Sequence, residues 1–324
     1  MRADVFTAAI VQHPPALLDR DTTMKRVLDR MAEAAAQDAR LVVFPETYVP
    51  GYPEYVWRMK PGDRHDYALA RDLHGRLLAS AVDLEADDLA PVREAAARLG
   101  LTVTIGIHER EGRFSRASVF NTLVVIGPDG RILNRHRKLV PTNPERMVWA
   151  PGDGTGLRVL ETPVGRLGGL ICWENYMPLA RFALYAQGVE VYVAPTWDEG
   201  DAWIASMRHI AREGRCWVLG AGCSMQAKDV PEAFPDRARL YPDAEEWLNP
   251  GDSVVVAPSG AIVAGPLHRA HGILYARIDP SAAAAAHYTL DPAGHYNRPD
   301  VFQLRVDRSP RVPLEFADGE QAGR

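Results

Sequence analysis

A thiol, a carboxylate and an ammonium group stand at comparable places in this chain, each at the end of an apolar or strand-like run. Cys172 closes Gly168-Gly169-Leu170-Ile171, and a helical pattern (Tyr176, Leu179, Ala180, Ala183, Leu184) begins a few residues later. A side chain at such a strand-to-helix join lies where open α/β sheets bind ligands. It also faces the positive end of the next helix, which is expected to favour thiolate over thiol. Glu46 follows Leu41-Val42-Val43-Phe44-Pro45, again at the carboxyl end of a core-like run, and an unpaired buried glutamate is rare. Lys138 ends Arg135-His136-Arg137. A basic strand edge can simply resist aggregation, but with the other two this lysine makes a nucleophile, an acid and a cation. That set suits covalent catalysis.

Other groups offer less. Cys216 and Cys223 border the apolar run Trp217-Val218-Leu219-Gly220-Ala221-Gly222 and read as packing residues. Three cysteines fit neither a disulfide framework nor a zinc site. The ten histidines include His209 within a helical pattern and His268 and His271 around a turn, with no HExxH spacing, so no metal is expected. Asn121 and His136 receive no role.

These residues need a scaffold that gathers strand ends. Residues 5–11 read as a buried strand, Asp21-Thr22-Thr23 as the cap of a helix striped by Met24, Val27, Leu28 and Met31, and 41–44 as a second strand. That is a βαβ unit with parallel pairing. Helices near 66–80 and 88–98 precede a strand at 101–107, and Pro128-Asp129-Gly130 joins strands at 119–126 and 131–137 in a hairpin. A strand ending at Cys172, a helix to about 187, a strand at 189–194 and a helix at 201–213 follow. Strands at 216–222, 253–257, 261–264 and 272–278 close the order. Parallel units mixed with hairpins predict a layered α/β sandwich with mixed sheets. No Ser/Gly-rich linker divides the chain. Residues 227–250, rich in Pro, Asp and Glu, read as a surface excursion, and the last dozen residues as loose.

The chain has 324 residues, 47% of them apolar and 24% charged, as in an ordinary soluble globular protein. A net charge of −5 speaks against a nucleic-acid surface. No run approaches the roughly 18–20 apolar residues that span a bilayer, and Asp4 interrupts any apolar leader. No membrane partner and a cytoplasmic location are expected.

Phe44-Pro45-Glu46, Arg137-Lys138-Leu139-Val140-Pro141-Thr142 and Gly169-Leu170-Ile171-Cys172-Trp173-Glu174 resemble, in order and spacing, the three signatures of the nitrilase or carbon–nitrogen hydrolase superfamily. Cys172-Trp173-Glu174-Asn175-Tyr176-Met177-Pro178-Leu179 is similar to the nitrilase branch. So are Glu145-Arg146, Trp149, Gly152-Asp153-Gly154, Ala194-Pro195-Thr196 and Ser206-Met207-Arg208-His209-Ile210-Ala211. The likeness runs from about residue 5 to about 280.

The resemblance implies an α-β-β-α sandwich over residues 1–290, with 291–324 as a C-terminal tail. It implies a triad of Glu46 as base, Lys138 as cation and Cys172 as nucleophile, with Glu145 as a second acid holding the lysine. No cofactor or metal is implied. The partners implied are a small-molecule nitrile and further copies of the chain, as a dimer or larger homo-oligomer. Nitrile attack would give a thioimidate, then a thioester, then a carboxylic acid and ammonia. Trp173, Tyr176, Trp149, Tyr52 and Trp197 are the aromatic residues expected around the substrate. An amidase or carbamoylase would use the same triad on an amide, and a non-catalytic binding protein could keep the fold. Trp173-Glu174-Asn175 favours the nitrilase, and three filled triad positions disfavour the binding protein.

Overall fold

A computed structural model describes residues 3–60 and 62–314. Two sheets meet face to face, each built round three parallel strands. The first carries β1 (Phe6–Gln12), β2 (Ala39–Val43) and β3 (Thr102–Arg110) in parallel, then β4 (Val119–Ile126) and β5 (Ile132–Arg137) antiparallel. The second holds β6 (Leu160–Thr162), β7 (Gly165–Gly169), β8 (Val191–Thr196), β9 (Trp217–Gly222), β10 (Ser224–Gln226), β11 (Trp247–Val256) and β12 (Ile262–His268), with β7, β8 and β9 parallel. β13 (Gly272–Ile278) returns to pair with β1, so the first sheet runs β13-β1-β2-β3-β4-β5.

Continuous β-branched runs make strands buried on both faces. Phe6, Ile10, Leu41, Val43, Leu123 and Val125 of the first sheet meet Leu167, Val191, Val193, Leu219 and Val255 of the second in one buried layer. The opposite face of the first sheet packs on α1 (Arg20–Ala36) and α3 (Ala90–Leu99), reached through α2 (Arg64–Ser80). The second sheet packs on α4 (Pro178–Tyr185) and α5 (Gly200–Gly214), through Leu184, Trp203, Met207 and Ile210. Helices, two sheets and helices give the α-β-β-α sandwich. Among the described residues, no helix is long and apolar enough to cross a membrane.

Some local expectations change. The α1 cap is Asp19, whose carboxylate accepts from Thr22 N at 2.9 Å, rather than Asp21-Thr22-Thr23. β7 ends at Gly169, three residues before Cys172. Residues 227–250 are no mere surface excursion: Ala227, Val230, Phe234, Leu240 and Tyr241 are buried against Leu17, Tyr55, Val56 and Leu73. Irregular backbone hides such burial, because it lacks the period that marks a buried helix face or strand. Residues 303–313 run extended and exposed, with Arg311 N donating to Asp153 at 3.0 Å. Most of the final dozen residues expected to be loose fall outside the described residues.

Candidate active site

Each candidate group sits just past a strand end, held there by local backbone chemistry. After β2, Phe44 N still donates to Thr104 O (2.8 Å), and the chain rejoins β3 when Val49 N reaches Gly106 O (3.2 Å). Residues 45–48 loop out between these points and carry Glu46. Gly106 makes this possible: a Cβ there would stand 2.3 Å from Pro45 O and 2.4 Å from Thr47 N. Lys138 follows β5 and keeps one ladder bond, from its N to Asn121 O at 2.8 Å. Cys172 opens a 3-10 turn (Cys172–Tyr176) with φ +50°, a region that non-glycine residues seldom adopt. Asn175 supports that turn, donating to Leu170 O (3.1 Å) and Cys172 O (2.7 Å) and accepting from the Tyr192 hydroxyl (2.7 Å).

The folded chain brings Glu46, Lys138, Glu145 and Cys172 together, all buried. Lys138 Nζ donates to Glu46 Oε1 and Glu145 Oε2, each at 2.8 Å. Asn121 donates to Glu46 Oε1 (2.6 Å), and Trp197 N to Glu46 Oε2 (2.8 Å). Glu145 also accepts from the Tyr52 hydroxyl (2.6 Å) and from Thr142 N (2.6 Å). Both carboxylates are therefore fixed by three donors each, one of them the shared ammonium.

Burial dominates the electrostatics. It opposes the charge of Lys138, but the Glu46 carboxylate, Cys172 and Glu145 outweigh it and hold the ammonium above its ordinary value. Glu46 is pushed up by burial, against the pull of Lys138. The Cys172 thiol is also pushed up, first by burial and then by Glu46, with Lys138 opposing. Burial therefore opposes the bias toward thiolate expected from the sequence, and the element that Cys172 opens is a short 3-10 turn rather than a long helix.

A third buried carboxylate ties the two sheets together. Glu174 accepts from Leu139 N (2.7 Å), next to Lys138, and from Ile171 N (2.8 Å), next to Cys172. His136 Nε2 lies 2.9 Å from its other contact point, Oε2. Burial raises the Glu174 carboxyl, but His136 and the two backbone donors outweigh it and hold it below the ordinary range. Asn121 and His136, without a role in the sequence, thus hold Glu46 and Glu174. Side-chain alternation along β4 and β5 is the signal that could have pointed both inward.

A cavity of about 130 Å³ opens over the thiol, lined by Tyr52, Trp57, Thr142, Glu145, Cys172, Trp173, Trp197 and Asp198. Tyr52, Trp173 and Trp197 of the expected aromatic set are on its wall, and Tyr52 stacks on Trp197 at 4.5 Å. Trp149 and Tyr176 are not. Trp149 lies behind, its ring 5.6 Å from Lys138 Nζ and its Nε1 donating to His108 Nδ1 (3.0 Å). His108 is kept neutral by burial, its pKa pulled down to about 3, and its Nε2 lies 2.8 Å from Gly51 O. Tyr176 stands outside and donates to Asp198 at 2.8 Å. Trp57 and Asp198 went unnoticed in the sequence because Trp57 ends a short 3-10 turn (Glu54–Trp57) and Asp198 sits on a loop, neither with a period to read. A larger cavity, about 610 Å³, beside Phe120, Arg137 and Pro310–Pro313, includes none of the four clustered residues. Among the described residues no group of three His, Cys, Asp or Glu side chains could hold a metal ion.

A sequence profile described as carbon-nitrogen hydrolase matches residues 7–288. An aliphatic nitrilase of Sinorhizobium fredii (strain HH103) is 40% identical over 312 residues, 94% of this chain and 97% of that protein. A bifunctional nitrilase/nitrile hydratase, NIT4A, of Lupinus angustifolius is 37% identical over 97% of this chain and 89% of its own length. The crystal structure of the C. elegans NitFhit protein superposes with a TM-score of 0.70 at 19% identity, covering 98% of this chain and 71% of that one, a likeness of fold.

Proposed function

The chain belongs to the carbon–nitrogen hydrolase family, and on that premise we propose that it is a nitrilase converting small nitriles to carboxylic acids and ammonia. The observation that carries the reading is the buried Glu46–Lys138–Glu145 unit beneath a cavity that exposes Cys172. Relatives at 40% and 37% identity that bear nitrilase names favour a nitrile over an amide. A cavity of about 130 Å³ is well below the roughly 300–1,000 Å³ of pockets for drug-sized ligands, which favours a short substrate.

In this reading Glu46 takes the thiol proton as Cys172 Sγ bonds to the nitrile carbon, and the nitrile nitrogen gains a proton to give a thioimidate. Lys138 lies where negative charge develops on that nitrogen and offers a preorganised cation. Water adds to the thioimidate carbon, the C–N bond breaks, and ammonia leaves behind a thioester. Glu46 deprotonates a second water, which displaces the thiol as the carboxylic acid departs. Glu145 fixes Lys138, and Glu174 fixes the spacing between Lys138 and Cys172. Tyr52, Trp173 and Trp197 hold the substrate body, with Trp149 supporting Lys138 from behind and Tyr176 acting at the rim.

Residues 1–290 would form the catalytic domain and 291–324 a tail. Self-association into a dimer or larger is part of the same reading, as the family resemblance implies. Ammonia release from short aliphatic nitriles, run beside the matching amides with products identified by mass, tests the activity. Acid from the nitriles is expected; turnover of amides alone would reassign the protein as an amidase.

A further inference from the structure

The cavity over Cys172 has a one-sided charge. Its lining contains two carboxylates, Glu145 and Asp198, and no Lys, Arg or His. Glu145 is neutralised from below by Lys138, a cation that serves Glu46 as well. Asp198 has no such partner among the described residues: its Oδ2 accepts from the Tyr176 hydroxyl (2.8 Å) and its Oδ1 from Glu199 N (2.9 Å), both uncharged donors. The next residue, Glu199, has its carboxyl pushed up first by burial and then by the Asp252 and Asp198 carboxylates, with His268 and Arg269 opposing. Arg146 follows Glu145, but its Nε donates to Pro141 O (3.1 Å) and it is absent from the lining.

The remaining wall reinforces the same preference. Trp57, Trp173, Trp197 and Tyr52 line the same cavity, and aromatic rings of this kind attract cations. Trp57 and Trp173 are 46% and 47% exposed, so they reach from the cavity to solvent beside Asp198.

We propose that Asp198, together with the tryptophans at the cavity mouth, makes the enzyme select short nitriles whose far end is an ammonium group and reject those ending in a carboxylate. This deepens the nitrilase reading and rests on it. Asp198 is a specificity residue here, acting on the substrate's distal end while Cys172 attacks its nitrile carbon.

Three nitriles of similar length test it: neutral pentanenitrile, 4-aminobutanenitrile as its ammonium counterpart, and 3-cyanopropanoate. The readout is kcat/KM from ammonia release at neutral pH, taken as ratios to pentanenitrile so that any general loss cancels. In the wild type the ammonium ratio should exceed the carboxylate ratio by about tenfold or more, and the gap should shrink at about 1 M salt, where the screening length is about 3 Å. Asp198→Asn should lower the ammonium ratio about fivefold and raise the carboxylate ratio. A wild type that prefers 3-cyanopropanoate, or a gap insensitive to salt, overturns the proposal even if the variant does not fold. Ratios unchanged in a folded Asp198→Asn remove Asp198 from the role. Ammonia from none of the three nitriles would overturn the nitrilase reading itself, and this proposal with it.

Discussion

Beneath the Cys172 thiol Glu46, Lys138, Glu145 and Glu174 are buried and paired; above it Trp57, Trp173 and Tyr176 stand partly in solvent, and Asp198 has no charged partner among the described residues. Glu46, Lys138, Glu145 and Glu174 share donors and acceptors drawn from both sheets. Trp57, Trp173 and Tyr176 lie on two short 3-10 turns and Asp198 on a loop. The floor has its geometry fixed before substrate arrives, which is what proton transfer and charge stabilisation require. The mouth is the part that can vary, and it bears on which nitrile enters. Damage to the floor should therefore appear in kcat, and damage to the mouth in KM and in substrate choice.

The largest effect belongs to the shared cation. Lys138→Met should lower kcat by about 10³-fold or more while far-UV circular dichroism stays native, since it removes charge stabilisation and leaves two carboxylates facing each other. Activity within tenfold of wild type would mean the floor does not work as a unit. Glu174→Ala comes next. Loss of the tie between Leu139 and Ile171 should cost about 10²-fold in kcat/KM, and leaving His136 buried without its partner roughly 3–5 kcal/mol in urea unfolding. Glu174→Gln keeps an acceptor and should fall between; equal losses in both variants would argue against the tie.

The pH profile gives a smaller, graded effect. Glu46 must be ionised to accept the thiol proton, and burial raises its pKa above the ordinary 4.5. Activity is therefore retained above the raised value and lost as pH falls through it, about tenfold per pH unit in kcat/KM. An acid limb still flat at pH 4.5 would contradict Glu46 as the base. At the mouth, Trp173→Ala should raise KM by no more than about tenfold, with kcat nearly unchanged. A collapse of kcat there would erase the distinction between floor and mouth.

The floor was readable in the sequence to the extent that strand ends are readable. The runs ending in Phe44-Pro45, Arg137 and Leu170-Ile171 mark where side chains leave a sheet, and a chemically coherent set stands at all three. Which residue stands beside which was harder, because it depends on the β4–β5 register and on how the sheets pack. Asn121 and His136 are ordinary polar residues until the register faces them to Glu46 and Glu174. The burial of Cys172 is hidden for a related reason: position in the chain shows the nearby turn but not the depth at which the thiol lies. Trp57, Asp198 and the buried side chains of 227–250 stand on loops and on turns or helices too short to show a period that separates inside from outside.

Three buried thiols in one chain allow the most direct test of the catalytic assignment. Ammonia and acid production from a short aliphatic nitrile should be measured for Cys172→Ala, Cys216→Ala and Cys223→Ala beside the wild type. Cys216 and Cys223 are buried and do not line the cavity, so their variants should keep most of the wild-type rate, while Cys172→Ala should fall to background. A Cys172→Ala protein that still hydrolyses the nitrile would contradict the assignment of Cys172 as the nucleophile.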